Sequence, residues 1–198
     1  MIDEEFNRMY KESSIFLEKF YTYFVPRIHT YCNTVRPDLY KIFAFIEDES
    51  LRAILILTHL LPVCNSIRKG KKKNKNLNYQ FPNSALIQIW PEGSNINNKV
   101  ECLKQDAQGP IQTYIILIKG QRPTHFVQAD NNTITPNMNS SVVALDLLFK
   151  IFHVLNVTYP KNLINFFKFM QQYCFKVSLD KAHAFVATTH INICNIIP

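Results

Sequence analysis

The stretch Val142–Val177 constrains the fold most, because it is apolar on nearly every side. It reads VVALDLLFKIFHVLNVTYPKNLINFFKFMQQYCFKV and predicts two helices joined at Tyr159-Pro160. A helix that is apolar almost all round must be wrapped by other elements. The first helix carries one narrow polar stripe, formed by Asp146, Lys150 and His153.

The second helix of this hairpin is predicted to begin at Pro160, since proline suits the first turn of a helix. We expect Phe152 on the first helix and Phe166 on the second to lie in the core. Asn139, Ser140 or Ser141 is expected to cap the first helix. The apolar face of the second helix comprises Leu163, Phe166, Phe167, Met170, Tyr173, Cys174 and Val177.

Other segments are expected to pack around the hairpin. Helical periodicity from Phe6 to Phe24 predicts an amphipathic helix that ends before Pro26, and further helices are predicted from Pro37 and over 51–61. The segment 84–90 is a short helix or strand. Tyr114–Ile118 and Thr124–Gln128 are predicted strands of an antiparallel hairpin.

These elements predict an α+β fold, mostly helical, with a small antiparallel β-hairpin (112–130) packed on the central helical hairpin. Residues 1–177 are expected to form a single globular domain. Residues 178–198 show no clear period, which is typical of an edge strand or a loose tail, and their order is uncertain from the sequence.

One segment changes the composition abruptly. The run RKGKKKNK carries six of the seven net positive charges of the 198-residue chain, so the remainder is close to neutral. Such a run cannot be buried, and it predicts a mobile basic loop over 66–80. Its charged residues are Arg68, Lys69, Lys71, Lys72, Lys73 and Lys75.

Several kinds of site are excluded by residue type and spacing. The four glycines lie far apart, which excludes a P-loop and a dinucleotide-binding fingerprint. The five cysteines form no C-x-x-C pair, the histidines are dispersed, and no serine or cysteine stands in a nucleophile motif. The sequence therefore predicts a non-catalytic protein with no cofactor and no metal ligands.

The N-terminal residues and the hydropathy of the sequence indicate where in the cell the protein is expected. The N-terminus MIDEEFNRMYKE is charged and has no apolar core, unlike a secretory signal. No charge-free apolar run approaches the ~20 residues of a membrane span. We therefore expect an intracellular protein, nuclear or cytoplasmic, that does not enter a membrane.

The pattern A-L-D-L-L-F-K-I-F-H-V-L-N-V, with the Tyr159-Pro160 junction and N-F-F-x-F-M-Q after it, resembles the C-terminal region of a large set of animal proteins. These are the sterile-alpha-motif domain-containing protein 3-like proteins, of which several look multiplied by mobile elements. The resemblance extends over most of Phe16 to Val177. It implies one piece of a larger architecture, or a short stand-alone copy, and assigns no residue a role.

Three functional hypotheses follow. The first is an interaction or scaffold domain with an unidentified protein partner, for which Trp90 is an exposed anchor unless it packs in the core, as most tryptophans do. The second is phosphate contact with nucleic acid, or nuclear import, through the basic loop. The third is a degenerate, transposon-derived nuclease-like fold using Asp130 and Asp146, although an i,i+4 ion pair with Lys150 also explains Asp146.

Overall fold

The computed structural model of the chain describes residues 1–10, 15–62, 85–106, 112–177 and 183–198. Its fold is α+β and mostly helical, which confirms the predicted class. The predicted basic loop, with Arg68 to Lys75, lies outside the described residues. The helices are α1 (Ile2–Met9), α2 (Phe16–Lys19), α3 (Val25–Val35), α4 (Pro37–Ile42), α5 (Glu49–Leu60), α6 (Ile96–Asp106), α7 (Ser141–Val154), α8 (Ile164–Phe169) and α9 (Ala184–Cys194). The strands are β1 (Ile87–Trp90), β2 (Tyr114–Ile118), β3 (Thr124–Ala129) and β4 (Asn132–Ile134).

The central hairpin forms as predicted from α7 and α8. Of the three expected caps, Ser140 is the one that caps α7, and its hydroxyl accepts from the backbone N–H of Val142. After Pro160 a 3-10 turn leads into α8, which continues as a π-helical turn, Met170–Cys174. The Phe152 ring on α7 lies 4.9 Å from the Phe167 ring on α8, and both are buried.

The single helix predicted from Phe6 to Phe24 is wrong at both ends of its range: α1 ends at Met9, and the helix that begins at Phe16 continues past Pro26 to Val35. Residues Phe16–Lys19, Phe20–Phe24 and Val25–Val35 follow one another as α-helix, π-helical turn and α-helix. A proline inside an α-helix lacks a donor and crowds the carbonyl four residues earlier. The wider π turn directly before Pro26 relieves that crowding, so the helical path passes the proline unbroken.

The sheet is larger than the predicted hairpin. Strands β2 and β3 pair antiparallel as expected, and β4 continues the sheet antiparallel to β3. Strand β1, which the sequence left open as helix or strand, pairs parallel to β2. Parallel neighbours need a long crossover connection, and α6 lies in the connection from β1 to β2.

The two faces of the sheet are buried against different layers. Ile115, Leu117 and Val127 join the main core around α7. The opposite face contributes Trp90 to a small second cluster with Val100 of α6. Trp90 is therefore a core residue, and the hypothesis of an exposed anchor at this position is wrong.

The expectation of an edge strand or loose tail at the C-terminus is also wrong for the described part. Residues Ala184–Cys194 form α9, which packs on α3 and α8. Val186 and Ile193 of α9 are fully buried. Among the described helices, none has the length and apolar character needed to cross a membrane.

Candidate functional site

A pocket with a volume of about 310 Å³ lies where strands β1 and β2 end. One wall comes from the α4–α5 connection and the start of α5, and the other comes from the ends of β1, β2 and the β2–β3 connection. The carboxyl ends of neighbouring parallel strands are a common place for a binding crevice. We call this site the strand-end pocket, defined by Phe45, Leu51, Ile89, Leu117, Pro123 and His125.

The strand-end pocket is mainly apolar and has an apolar rim. Phe45 is 66% exposed and Ile89 is 38% exposed, although both border the cavity. Its charged lining residues are Glu47, Asp48 and Lys119. Such a cavity, about the smallest size typical of binding pockets, suits an apolar group flanked by polar atoms.

Four polar residues form a hydrogen-bonded chain beside this pocket, which we call the relay: Asp48, Ser141, His125 and Asn139. The Ser141 hydroxyl lies 2.5 Å from Oδ2 of Asp48 and 3.0 Å from Nε2 of His125. On the other side of the ring, Nδ1 of His125 lies 2.9 Å from Oδ1 of Asn139. The relay thus joins α5, α7 and β3.

Local structure fixes both ends of the relay. Asp48 is the N-cap of α5, where its Oδ1 accepts from the backbone N–H groups of Ser50 and Leu51 at 2.9 and 3.1 Å. Oδ1 of Asn139 accepts from the backbone N–H of His125 at 2.9 Å, and its amide nitrogen donates to the carbonyl of Pro123. The carboxylate and the amide are therefore held in defined orientations.

A serine or cysteine, a histidine and a carboxylate or amide in this order also occur in nucleophilic active sites. There the serine passes its proton to the histidine. In this chain the Ser141 hydroxyl also contacts the Asp48 carboxylate, and Ser141 is only 1% exposed. The arrangement therefore connects three elements and does not present the serine oxygen to a substrate.

His153 offers a contrast with His125, because its ring lies between two phenols. The hydroxyls of Tyr10 and Tyr159 lie 3.1 and 2.7 Å from Nδ1 and Nε2. A phenol can donate or accept, so a neutral ring satisfies both contacts. Burial lowers the pKa of His153 and raises the pKa of Tyr159, so both of these groups are uncharged at neutral pH.

The two carboxylates considered for nuclease chemistry lie in different surroundings. Asp130 is exposed in the turn after β3 and borders one surface depression, whereas Asp146 borders another. Asp146 forms the expected i,i+4 ion pair, with 2.6 Å between its Oδ2 and Nζ of Lys150. Within the described residues, no group of three or more His, Cys, Asp or Glu side chains is placed to hold a metal ion.

The Asp146–Lys150 pair is largely buried and extends to α1, since Lys150 also contacts Asp3 at 2.7 Å. Burial raises the pKa of Asp146, and the neighbouring Lys150 offsets only part of that effect. Burial also acts to lower the pKa of Lys150, but the carboxylates of Asp146 and Asp3 outweigh it and hold that pKa above its usual value. The lysine is thus the firmly charged member of the cluster.

Sequence reasoning missed the relay and the strand-end pocket. In the sequence, Asp48 lies in the acidic run Glu47-Asp48-Glu49, and His125 lies in the predicted strand Thr124–Gln128, with no spacing that relates the two. Ser141 and Asp48 are 93 positions apart in the chain, so no local sequence spacing predicts their contact. The sequence does indicate one part of the relay: Asn139 and Ser141 are among the residues predicted to cap α7.

No family model matches the chain. Comparison with curated proteins gives no match, and comparison with solved structures gives none either.

Proposed function

We propose that this chain is a non-catalytic protein-interaction domain whose strand-end pocket receives an apolar side chain of a partner protein. The observation that carries the proposal is the rim, where Phe45 is 66% exposed beside a cavity lined largely by apolar groups. Aromatic residues are enriched in protein interfaces, and exposed apolar patches mark interaction sites. A partner side chain in the pocket would cover Phe45 and Ile89 together.

The occupant we propose is an extended peptide segment, because a strand edge borders the pocket. Among the described strands, β1 pairs only with β2. The backbone carbonyl of Leu86 accepts from the N–H of Ile115 in β2, and that of Trp90 accepts from the N–H of Lys119, directly after β2. Because carbonyls alternate in direction along a strand, those of Ile87 and Ile89 point away from β2. An extended peptide can pair with such an edge while alternate side chains enter neighbouring pockets.

A peptide selection tests this proposal. Random peptides of about 12 residues would be displayed and selected for binding to the full chain. We expect some of the selected peptides to bind the Phe45→Ala variant with an affinity lower by roughly 10-fold or more, because the variant lacks an aromatic anchor. Affinity would be measured by fluorescence anisotropy. Leu155→Ala is the matched control, since Leu155 is also exposed but borders a different depression. The proposal is overturned if no peptide is selected, or if Phe45→Ala and Leu155→Ala behave alike.

A second candidate function rests on charge concentration: six of seven net charges lie in the basic segment. We propose phosphate contact through Lys71, Lys72 and Lys73 as the alternative. Counterion release gives a slope of log affinity against log salt of roughly −0.9 per duplex phosphate contact. Replacing all three lysines by Gln is therefore expected to reduce that slope by up to roughly 3 for an unrelated duplex.

Binding would be measured by anisotropy over a salt series on duplex and single-stranded oligonucleotides. A second triple variant, with Gln at the exposed Lys41, Lys161 and Lys168, controls for total charge. Equal losses in both variants, or no binding at moderate salt, would count against this function. In that case a nuclear-import signal remains the role that such a run fits.

We further propose that the chain belongs with the sterile-alpha-motif domain-containing protein 3-like proteins that it resembles between Phe16 and Val177. The polar stripe Asp146, Lys150 and His153 is part of that resemblance. Lys150 pairs with Asp146 on α7 and contacts Asp3 of α1. His153 lies between the hydroxyls of Tyr10 and Tyr159. The contacts of Lys150 and His153 hold α1 and the Tyr159 segment against α7. On this proposal the shared pattern reflects packing of the core.

A further inference from the structure

The rim of the strand-end pocket carries charge as well as apolar surface. On the side of the α4–α5 connection, Ile46 is buried, while its neighbours Phe45 and Glu47 are exposed beside the cavity. This side therefore offers an aromatic ring and a carboxylate close together. Asp48 adds a second carboxylate, but its Oδ1 already accepts from two backbone N–H groups of α5. Glu47 is thus the carboxylate best placed to contact a partner.

Within the part of the chain that the structure describes, Glu47 forms no ion pair, unlike several other acidic side chains. Arg52 of α5 is the base on this side, where its Nε donates to the carbonyl of Ile46 at 2.9 Å. The carboxylates of Glu47, Asp48 and Glu49 outnumber this guanidinium. We call this side of the pocket the acidic wall.

The opposite wall has a different charge. Lys119 lines it at the end of β2, and Arg122 lies in the β2–β3 connection. A Cβ atom added at Gly120 would lie between 2.9 and 3.2 Å from the carboxylate atoms of Glu92, so Glu92 lies directly beside the backbone of Gly120. Glu92 offsets part of the positive charge there. The strand-end pocket is therefore polarised, and its negative side is the acidic wall.

We propose that the segment bound at the strand-end pocket carries a lysine or arginine next to its apolar anchor, and that Glu47 pairs with this cation. The inference rests on the proposed function of the pocket. An extended segment advances about 3.3 Å per residue, so a base within about two positions of the anchor stays over the rim. The base remains outside the cavity, because an apolar lining would not offset the cost of removing its water.

The composition of selected peptides gives the first test. Peptides selected on the full chain would be kept only if their affinity falls in Phe45→Ala, which removes peptides held by the basic segment 68–75. Close to the apolar anchor of the remaining peptides, we expect lysine and arginine to exceed aspartate and glutamate. A set with no such excess overturns the proposal.

A charge swap between peptide and protein tests the pairing itself. Replacing the basic residue of a selected peptide by Glu should lower its affinity for wild type roughly 3-fold or more, within the range for exposed ion pairs. Glu47→Lys should reverse the preference and bind the Glu peptide more tightly than the original. Both effects should shrink as salt is added, since the pair is exposed. Affinity would be measured by fluorescence anisotropy.

Glu18→Lys is the matched control, because Glu18 is exposed on α2 and does not border the pocket. It should keep the wild-type preference for the basic peptide. Glu47→Gln serves if Glu47→Lys does not fold, and it should bind the two peptides with similar affinity.

The outcomes separate this inference from the function on which it rests. If the selected peptides need Phe45 but Glu47→Lys keeps the wild-type preference, the function stands and the pairing is overturned. If Lys119→Gln weakens binding and Glu47→Lys does not, the pocket selects an acidic segment, which also overturns the pairing. If no peptide is selected, the proposed function and this inference fail together.

Discussion

Phe152→Ala is expected to lower the free energy of unfolding by about 3–5 kcal/mol, the range for removing a buried aromatic ring. The Phe152 side chain is 2% exposed, and its ring lies 4.9 Å from that of Phe167 and 5.3 Å from that of Tyr159. It therefore ties the two helices of the central hairpin together. The cavity left by alanine would be lined by these rings, which other contacts already hold. Urea denaturation of both proteins measures the change.

Phe45→Ala is the matched control for this prediction. It removes the same atoms, but the Phe45 side chain is mostly exposed, and surface substitutions usually change stability by less than about 0.5 kcal/mol. The urea dependence of unfolding should stay similar in both variants, since neither changes the surface that unfolding exposes by much. Equal losses in the two variants would show that Phe152 does not belong to the core.

The hairpin was predictable because its signals are local and strong. Apolar residues on almost every side of α7 require burial, and a serine directly before the apolar run caps it. Spacing alone also predicted the contact between Asp146 and Lys150. Each of these inferences uses residues within one or two helical turns.

The failures at Pro26 and in α9 have a different physical origin. Proline normally ends a helix, but a π-helical turn before Pro26 changes which carbonyl the ring meets. In α9 the buried positions are Val186, Thr189 and Ile193. One of them is polar, and the hydroxyls of Thr188 and Thr189 donate to the carbonyls four residues earlier. Apolar and polar residues then alternate without a clear helical period.

The strand-end pocket could not be predicted because it depends on which strands pair. Strand β1 becomes the parallel neighbour of β2 only after the α6 crossover, and the sequence left even the nature of this segment open. Likewise, the relay needs α5, β3 and α7 to meet at their ends. Pairing of distant elements is set by the whole fold and leaves no local spacing in the chain.

The second large effect concerns charge in the core. Lys150→Met is expected to lower the free energy of unfolding by about 3–5 kcal/mol, the usual cost of leaving one member of a buried ion pair without its partner. Asp146 is 7% exposed, and methionine keeps the volume of the lysine stem while removing the ammonium group. Denaturation of the single variants and the double variant measures the change.

The double variant Asp146→Leu with Lys150→Met separates this charge effect from lost packing. Replacing a buried ion pair by apolar residues of similar size is often nearly neutral or stabilising. The double variant should therefore recover most of the stability that the single variant loses. Asp3→Asn is a second control, expected to cost at most about 1 kcal/mol because the Asp3 side chain is 47% exposed.

The pH dependence of the stability of Lys150→Met distinguishes a buried carboxylate without its ion-pair partner from a simple loss of packing contacts. Burial already raises the pKa of Asp146, and removing Lys150 removes the neighbour that opposes this effect. In Lys150→Met the folded state therefore binds a proton at a pH where the unfolded chain has lost it, so the stability of this variant should rise as the pH falls toward the usual range of aspartate. If the loss of unfolding free energy relative to wild type is as large at acidic as at neutral pH, the unpaired Asp146 carboxylate is not its cause. A deficit that shrinks at acidic pH, together with recovery in the double variant, would place the cost on the Asp146 carboxylate itself.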